Sequence, residues 1–405
     1  MTSIPSALRD APWLGADRAK AWCVMLAAGA VLAALAFAIM THGGIRADPW
    51  GRPLATDFSS FWSAAKLALA GTPSAAWDTA AHAAMQRSHF TPQAGYTPQY
   101  YAFFYPPPFL LICLPLGLLP YGAALAVWLL VTGAAYFAVT RALLPRHWPG
   151  ALVALSFPGL LLNAEHGQNG ALSTALFGMA ALWLDRRPGL AGICLGALCF
   201  KPQLALLVVP ALLLAGRWRS FAWAAGTVGA LCAGSLLVFG EAAWRGFLAD
   251  THLATATLEQ GLVGFEKMTS AFAAVRRLGG GLTSAWVVQA GVSLLALGVM
   301  ATVARRRPGA RAEVATMAAA ACLATPFLLD YDLMLLAVPL AWVAAAAERD
   351  GFLPWEKLIL ATAFLLPMVV RPVATMTNIG AAPLAVFALL MVVVRRTCHA
   401  SGSSG

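Results

Sequence analysis

The side chains of this sequence that could take part in bond chemistry fall in a few short stretches. One is "ATDFSSFWSAAKLALAG", in which Asp57 follows Thr56 just beyond a first apolar span. An aspartate beside Thr and Ser has the composition of a helix cap. The same carboxylate at the mouth of a helical bundle is also a general base, able to take a proton from an attacking hydroxyl. Glycosyl transfer from a phosphate-linked donor needs one such base and no protonating acid, because phosphate leaves as a stable anion. Asp48, in "RADPWG", is the nearest competitor, but Pro49 biases it toward an extended turn.

The turn "NAEHGQNG" sets Asn163, Glu165, His166, Gln168 and Asn169 between two apolar runs. Interfacial solvation accounts for such a cluster. So does a binding role in which His166, Gln168 and Asn169 hold sugar or acceptor hydroxyls, with Gly167 and Gly170 admitting a ligand close to the backbone. Lys201 interrupts "LGALCFKPQLALLVVPALL". A lysine is expensive in hydrocarbon, so it faces a cavity, a partner or the interface, to which it could snorkel; a functional role would be a point charge for the phosphate of a lipid carrier. Arg371, before Pro372 late in the chain, is either an interfacial anchor or a second cation for that phosphate, aided by His166. Asp330 and Asp332 flank an aromatic in "TPFLLDYDLMLL" and are either helix caps or ligands for sugar hydroxyls. No His, Cys, Asp or Glu spacing matches a metal site and no glycine loop matches a phosphate cradle, so neither a metal, a cofactor nor a soluble nucleotide-sugar fold is expected.

The elements that must position these residues are membrane helices. The chain of 405 residues is 60% hydrophobic and 11% charged, a composition foreign to water-soluble globular proteins. Apolar runs recur from Trp22 to Val394, and a spanning backbone in lipid must satisfy its own hydrogen bonds, which excludes open strands. Spans are expected near 21–40, 120–140, 151–164, 168–184, 190–200, 203–215, 221–239, 283–304, 312–329, 332–347, 357–371 and 380–394, twelve in all. Residues 106–119 read as a re-entrant or interfacial helix, and 190–215 as a broken hairpin with Lys201 and Pro202 at its apex. The net charge of +10 is spread in short clusters between the apolar runs, a topological signal rather than a nucleic-acid surface. With both termini cytoplasmic those clusters share the cytoplasmic face, and segments 41–105 and 240–282 lie outside with the turns around His166, Asp330 and Thr375. The stretches 59–71 and 73–90, and a third near 241–258, read as amphipathic helices on the outer surface, with Ser59 or Ser60 starting the first and Trp62 and Trp77 at the headgroups. The cysteines read as small buried hydrophobes, residues 1–400 as one integral-membrane domain, and 401–405 as a cloning remnant.

In order and spacing, "TDFSSFWSAAKLALAG", "FFYPPPFLLICLPLGLLP" followed by "AVW", "EHGQNG", "AGICLGALCFKPQLALLVVPALLLAGRWR" and "TPFLLDYDL" resemble the bacterial polyprenol-phosphate-sugar-dependent glycosyltransferases of family 87, formerly a domain of unknown function. The resemblance covers roughly residues 20–395. It implies a C-type glycosyltransferase bundle in the bacterial inner membrane that takes mannose or a related sugar from a polyprenyl phosphate on the extracytoplasmic side. Transfer would invert the anomeric centre and end on a lipid or glycan hydroxyl. The family's acidic residue after the first helix falls on Asp57, the glutamine of its "GQN" motif on Gln168 and the lysine of its "KP" motif on Lys201. "DYDL" stands where some mannosyltransferase members carry a polar, histidine-rich sequence, so reaction class travels further than sugar identity. A lipid or polysaccharide transporter would also place polar residues in a bundle, but this chain has no visible internal repeat. A noncatalytic envelope-assembly component would tolerate loss of Asp57.

Overall fold

The computed structural model describes residues 4–41, 47–48, 51–90 and 99–402. They form an all-α polytopic membrane protein. Among them, seven helices are long and apolar enough to cross a membrane: Ala16–Met40, Tyr121–Leu143, Trp218–Gln260, Leu282–Arg306, Asp330–Asp350, Glu356–Thr377 and Ala382–His399. Backbone pairing outside helices is confined to two isolated bridges, Ala47 with Pro53 and Met268 with Leu329.

The remaining expected spans are shorter than the ~20 residues that cross a bilayer. The stretch 151–164 is divided into Gly150–Ser156 and Pro158–His166, because Pro158 cannot continue the preceding helix and instead begins the next one. The segment 190–215 is broken three times, into Pro188–Ala197, a tight turn at Leu198–Phe200, Pro202–Ala205 and Val208–Leu214. Lys201 stands at the break before Pro202, as expected. The stretch 106–119 is a short helix, Pro107–Cys113, followed by a 3-10 turn, Leu114–Leu118. Trp218–Gln260 kinks at Gly240, where φ is 76°, so its second half is the separate helix expected near 241–258.

Helix contacts are close where side chains are small. A Cβ on Gly196 would lie 2.4 Å from the Ala224 carbonyl oxygen, so the Pro188–Ala197 helix meets Trp218–Gln260 backbone to backbone. In lipid such association is driven by packing rather than by escape from water. At one end of the bundle the basic turns are tied to one another. Arg217 pairs with Glu313 and Asp185 at 2.8 Å, Arg396 donates to Glu356, and Glu348 accepts from the Trp148 indole at 3.1 Å and pairs with His147. These are the turns that charge counting assigned to a single face. Cys199 and Cys232 are half-buried and Cys398 is exposed, whereas Cys23, Cys113, Cys194 and Cys322 are buried.

In the helices Phe58–Leu69 and Thr79–His89 and the turn Pro73–Trp77 between them, the two tryptophans expected at the headgroups face the protein interior instead. Trp62 and Trp77 are buried, donating their indole N–H groups to the carbonyls of Leu119 and Tyr105 at 3.0 Å. Phe61 centres an aromatic core, edge-on to Tyr105, Phe109 and Trp128 with ring centroids 4.9–6.0 Å apart. These contacts favour inward burial over headgroup anchoring, because each offset aromatic pair adds about 0.5–1.5 kcal/mol and the indole donors find protein partners. Asp78 caps the second helix through Ala81 N at 2.9 Å. Ser59 and Ser60 cap nothing, since their hydroxyls donate back to the carbonyls of Thr56 and Asp57.

Two outcomes follow from this packing. Gly196→Ala is expected to destabilise the protein by about 1–3 kcal/mol through backbone overlap, while Gly226→Ala, with nothing within 4 Å of its Cβ, is neutral or stabilising; thermal unfolding of the two purified variants checks the contrast. His82 is fully buried, its ring against the Ser60 carbonyl at 3.1 Å and the Tyr100 hydroxyl at 3.2 Å, and burial pushes it down to about 4. The folded state therefore keeps His82 neutral, and stability is fully present above pH ~6.5 and lost as pH falls from there toward 4, by about 3 kcal/mol. Proteolytic nicking of the 79–105 region should accelerate across that window and become less acid-dependent in His82→Gln, whose amide can replace both bonds.

Candidate functional site

At the end of the bundle away from the basic turns, four irregular chain segments converge. They are the turn before Phe58, the turn after His166, the break at Lys201, and residues 325–332. The first two are locked together by the Asp57 N–H donating to the His166 carbonyl at 3.1 Å. Gly167 makes that approach possible. It lies at φ 63°, and a Cβ there would sit 2.6 Å from the Phe58 Cβ and 2.7 Å from the Ala55 Cβ. The Trp128 indole holds the same turn through the Gly167 carbonyl at 3.0 Å. Gly170 likewise gives room to protein: its Cβ would collide with Asn163 Oδ1 and the Tyr331 carbonyl, both at 2.8 Å.

Asp57 occupies the position before the Phe58–Leu69 helix but does not cap it. Its half-buried carboxylate instead accepts from Gln168 Nε2 at 2.9 Å on Oδ2, and Oδ1 has only the Thr56 hydroxyl, at 3.5 Å. Thr56 also lies 3.4 Å from His166 Nδ1. Asp57 forms no ion pair among the described residues. Tyr101 stands near it; burial first, and then the Asp57 charge, push that phenol up to about 12, so it stays protonated. Asp48 forms the turn expected of it, accepting from Arg52 N and Nε at 2.8 Å, while Pro49 lies outside the described residues.

Gln168 is buried and has no hydrogen-bonding capacity left. Its Nε2 donates to Asp57 and to the Tyr331 hydroxyl at 3.1 Å, and its Oε1 accepts from the Tyr105 hydroxyl at 3.0 Å and from Asn169 N at 3.2 Å. An amide offers two donors and two acceptor positions, and all four are taken. The expected contact between Gln168 and a sugar would require one of these bonds to break.

Lys201 neither snorkels nor faces an open cavity. Its ammonium is buried in a salt bridge with Asp332, donates to Asn169 Oδ1 at 3.1 Å and lies 5.5 Å from the centre of the Tyr331 ring. Asp332 also accepts from Leu329 N at 3.2 Å. Asp330 is buried against Arg371, whose Nε donates to it at 2.7 Å, and it accepts from Tyr331 N at 2.9 Å. The two aspartates expected to meet sugar hydroxyls are thus engaged by cations. Arg371 is the more accessible cation, with 30% of its side chain exposed, and its Nη2 lies 3.4 Å from His166 Nε2.

Asp57, His166, Gln168, Asn169, Lys201, Asp330, Asp332 and Arg371 therefore enter one network, and Asp48 stands apart from it. What the sequence reading missed is the pair of tyrosines that saturate Gln168, Tyr105 on its oxygen and Tyr331 on its nitrogen, the latter also lying beneath Lys201. Their signal was present: Tyr331 lies between two aspartates and Tyr105 closes "YAFFY", and a buried phenol beside polar groups needs a partner.

Comparison with known proteins gives one match. Residues 103–329 fit the family model of glycosyltransferase family 87, a stretch that includes Tyr105, Gln168, Asn169 and Lys201 and stops just short of Asp330. No curated protein and no solved structure matches the chain.

The buried pair yields a stability test. Lys201→Met strands the Asp332 carboxylate in an apolar interior and is expected to cost about 3–5 kcal/mol, whereas Lys201→Met with Asp332→Leu recovers most of that loss. Thermal unfolding of both variants reads the difference; equal losses would mean that the two charges do not depend on each other.

Proposed function

The chain belongs to glycosyltransferase family 87, and from that premise we propose that it is an inverting transferase moving a mannose-like sugar from a polyprenyl phosphate to a lipid or glycan hydroxyl. The observation that carries the reading is the state of Asp57. One carboxylate oxygen is held by the Gln168 amide, the other has only the long Thr56 hydroxyl contact, and the accessible Arg371 guanidinium stands beyond His166.

The acceptor O–H meets Oδ1 of Asp57 and gives up its proton as its oxygen attacks the anomeric carbon. The bond from that carbon to the phosphate oxygen breaks on the opposite face, and polyprenyl phosphate leaves carrying the electron pair. Arg371 and His166 are placed to stabilise its growing negative charge. Lys201 contributes from beneath, neutralising Asp332 and supporting Asn169 and Tyr331. Reaching the phosphate itself would mean leaving Asp332, and Asp330 orients Arg371 in the same manner. Gln168 serves as a positioning residue for Asp57, and Asn169 fixes Lys201, so sugar contacts fall to groups nearer the opening. No cofactor or metal is invoked.

In a bacterial inner membrane with both termini cytoplasmic, this end of the bundle faces outward, where a flipped lipid-linked donor is available. The positive-inside rule supports that orientation, because the opposite end holds the basic turns.

The experiment is transfer from defined polyprenyl-phosphate sugars to membrane-lipid extracts. Wild type is expected to form product with reversed anomeric configuration, and Asp57→Asn to lose about 10²–10⁴-fold in rate. Gln168→Met should lower kcat about 10²-fold with KM nearly unchanged, as a misplaced base would. Normal transfer by purified Asp57→Asn would refute the assignment, and a KM effect alone in Gln168→Met would return Gln168 to substrate binding. Donor hydrolysis without transfer does not count as activity.

A further inference from the structure

A second site lies at the basic end, remote from Asp57. The Ala16–Met40 helix packs mainly against Gly150–Ser156, and only Cys23 and Ala27 along it are buried. Between it and the Glu356–Thr377 helix is a crevice of about 300 Å³. Its walls are apolar: Ala19, Trp22 and Leu26 on one side, Leu360 and Phe364 on the other, with Tyr136 at the back.

The rim is of a different character. Lys357 lines it, its ammonium 3.4 Å from the Ala11 carbonyl and over the Phe352 ring. Lys20 lies 5.9 Å from the centre of the Trp148 ring, another lining residue. Among the described residues neither lysine has a carboxylate within ion-pair distance. Glu348 lines the crevice too, but it is engaged by the Trp148 indole and His147. Tryptophans and lysines around an apolar slot are interfacial anchors; the Asp10 carboxylate acts on Lys357 from beyond ion-pair distance, and the positive charge of the two lysines favours an anion.

We propose that this crevice binds an anionic phospholipid, one hydrocarbon chain in the slot and the headgroup phosphate between Lys20 and Lys357. The depth argues for a lipid of the leaflet at the basic end. From Ala16 to Leu26 the wall runs ~15 Å, half of a ~30 Å hydrocarbon core. A polyprenyl chain bound at Asp57 would enter from the other leaflet.

The test uses the full chain in phosphatidylcholine nanodiscs containing a minor fraction of dibrominated phosphatidylglycerol or, in parallel, dibrominated phosphatidylcholine. Quenching of Trp22 and Trp148 is read as the difference between wild type and Trp22→Phe/Trp148→Phe. The brominated anionic lipid should quench these residues at lower mole fraction than the neutral one. Lys20→Gln and Lys357→Gln should each weaken that preference about fivefold. Ala361→Phe, which fills the slot from the Glu356–Thr377 helix, should remove the quenching by both lipids while leaving the lysines in place. Equal quenching by the two lipids, or a preference indifferent to both lysines, overturns the proposal. So does relief of quenching by unlabelled undecaprenyl phosphate at mole fractions where unlabelled phosphatidylglycerol has no effect, which would assign the slot to the polyprenyl chain.

Discussion

A charge inside a membrane protein has little water to turn to, so Lys201 and Asp332 must satisfy each other. The desolvation of either alone would cost several kcal/mol, and the pair persists because each has a further partner, Asn169 for the ammonium and Leu329 N for the carboxylate. The constraint spreads outward from there. Asn169 N donates to Gln168, Gln168 holds Tyr105, Tyr331 and Asp57, and Asp57 has an oxygen whose one side-chain partner is the Thr56 hydroxyl at 3.5 Å. The Asp57 carboxylate is the half-buried end of a polar chain whose fully buried end is neutralised.

Such a chain demands irregular backbone at one level of the bundle. Continuous helices would present only one residue in every turn or so to a neighbour, whereas the break at Lys201, the turn at Gly167 and the 3-10 segment at Asp330 bring adjacent residues together. Non-helical backbone at membrane depth is tolerated only where protein or water surrounds it, and here protein does. The short helices are therefore tied to the site: Pro158–His166 and Gly170–Trp183 end where their polar turn must meet Asp57. Most of the long helices are exposed along much of their length and enclose this interior, whereas Asp330–Asp350, which carries the two site aspartates, is largely buried within it.

Much of this was legible in the sequence because lipid makes polar residues conspicuous. Lys201, Arg371 and the Asn163–Gly170 turn stood out against apolar runs, and all of them meet. The broken hairpin at Lys201 was legible from Pro202 and from charge parity. The breaks in the shorter spans were less legible: hydropathy registers an apolar segment without saying whether one continuous helix fills it, and 151–164 and 203–215 are each built from two short helices. Trp62 and Trp77 misled for a related reason, since an amphipathic pattern with tryptophan suits an interface as well as an aromatic core. The role of Gln168 was hidden because its saturation depends on Tyr105 and Tyr331, distant in the chain and individually unremarked.

The central claim is that catalysis rests on a fixed carboxylate with Arg371 and His166 facing the leaving phosphate, and that the Lys201–Asp332 pair stays intact beneath it. A structure of the protein with a non-hydrolysable polyprenyl-phosphate sugar bound tests this most directly. The account predicts the phosphate beside Arg371 and His166, the anomeric carbon accessible from the Asp57 Oδ1 side, and Lys201 still on Asp332. A phosphate bound directly by Lys201, with Asp332 displaced and Asp57 remote from the sugar, would contradict it.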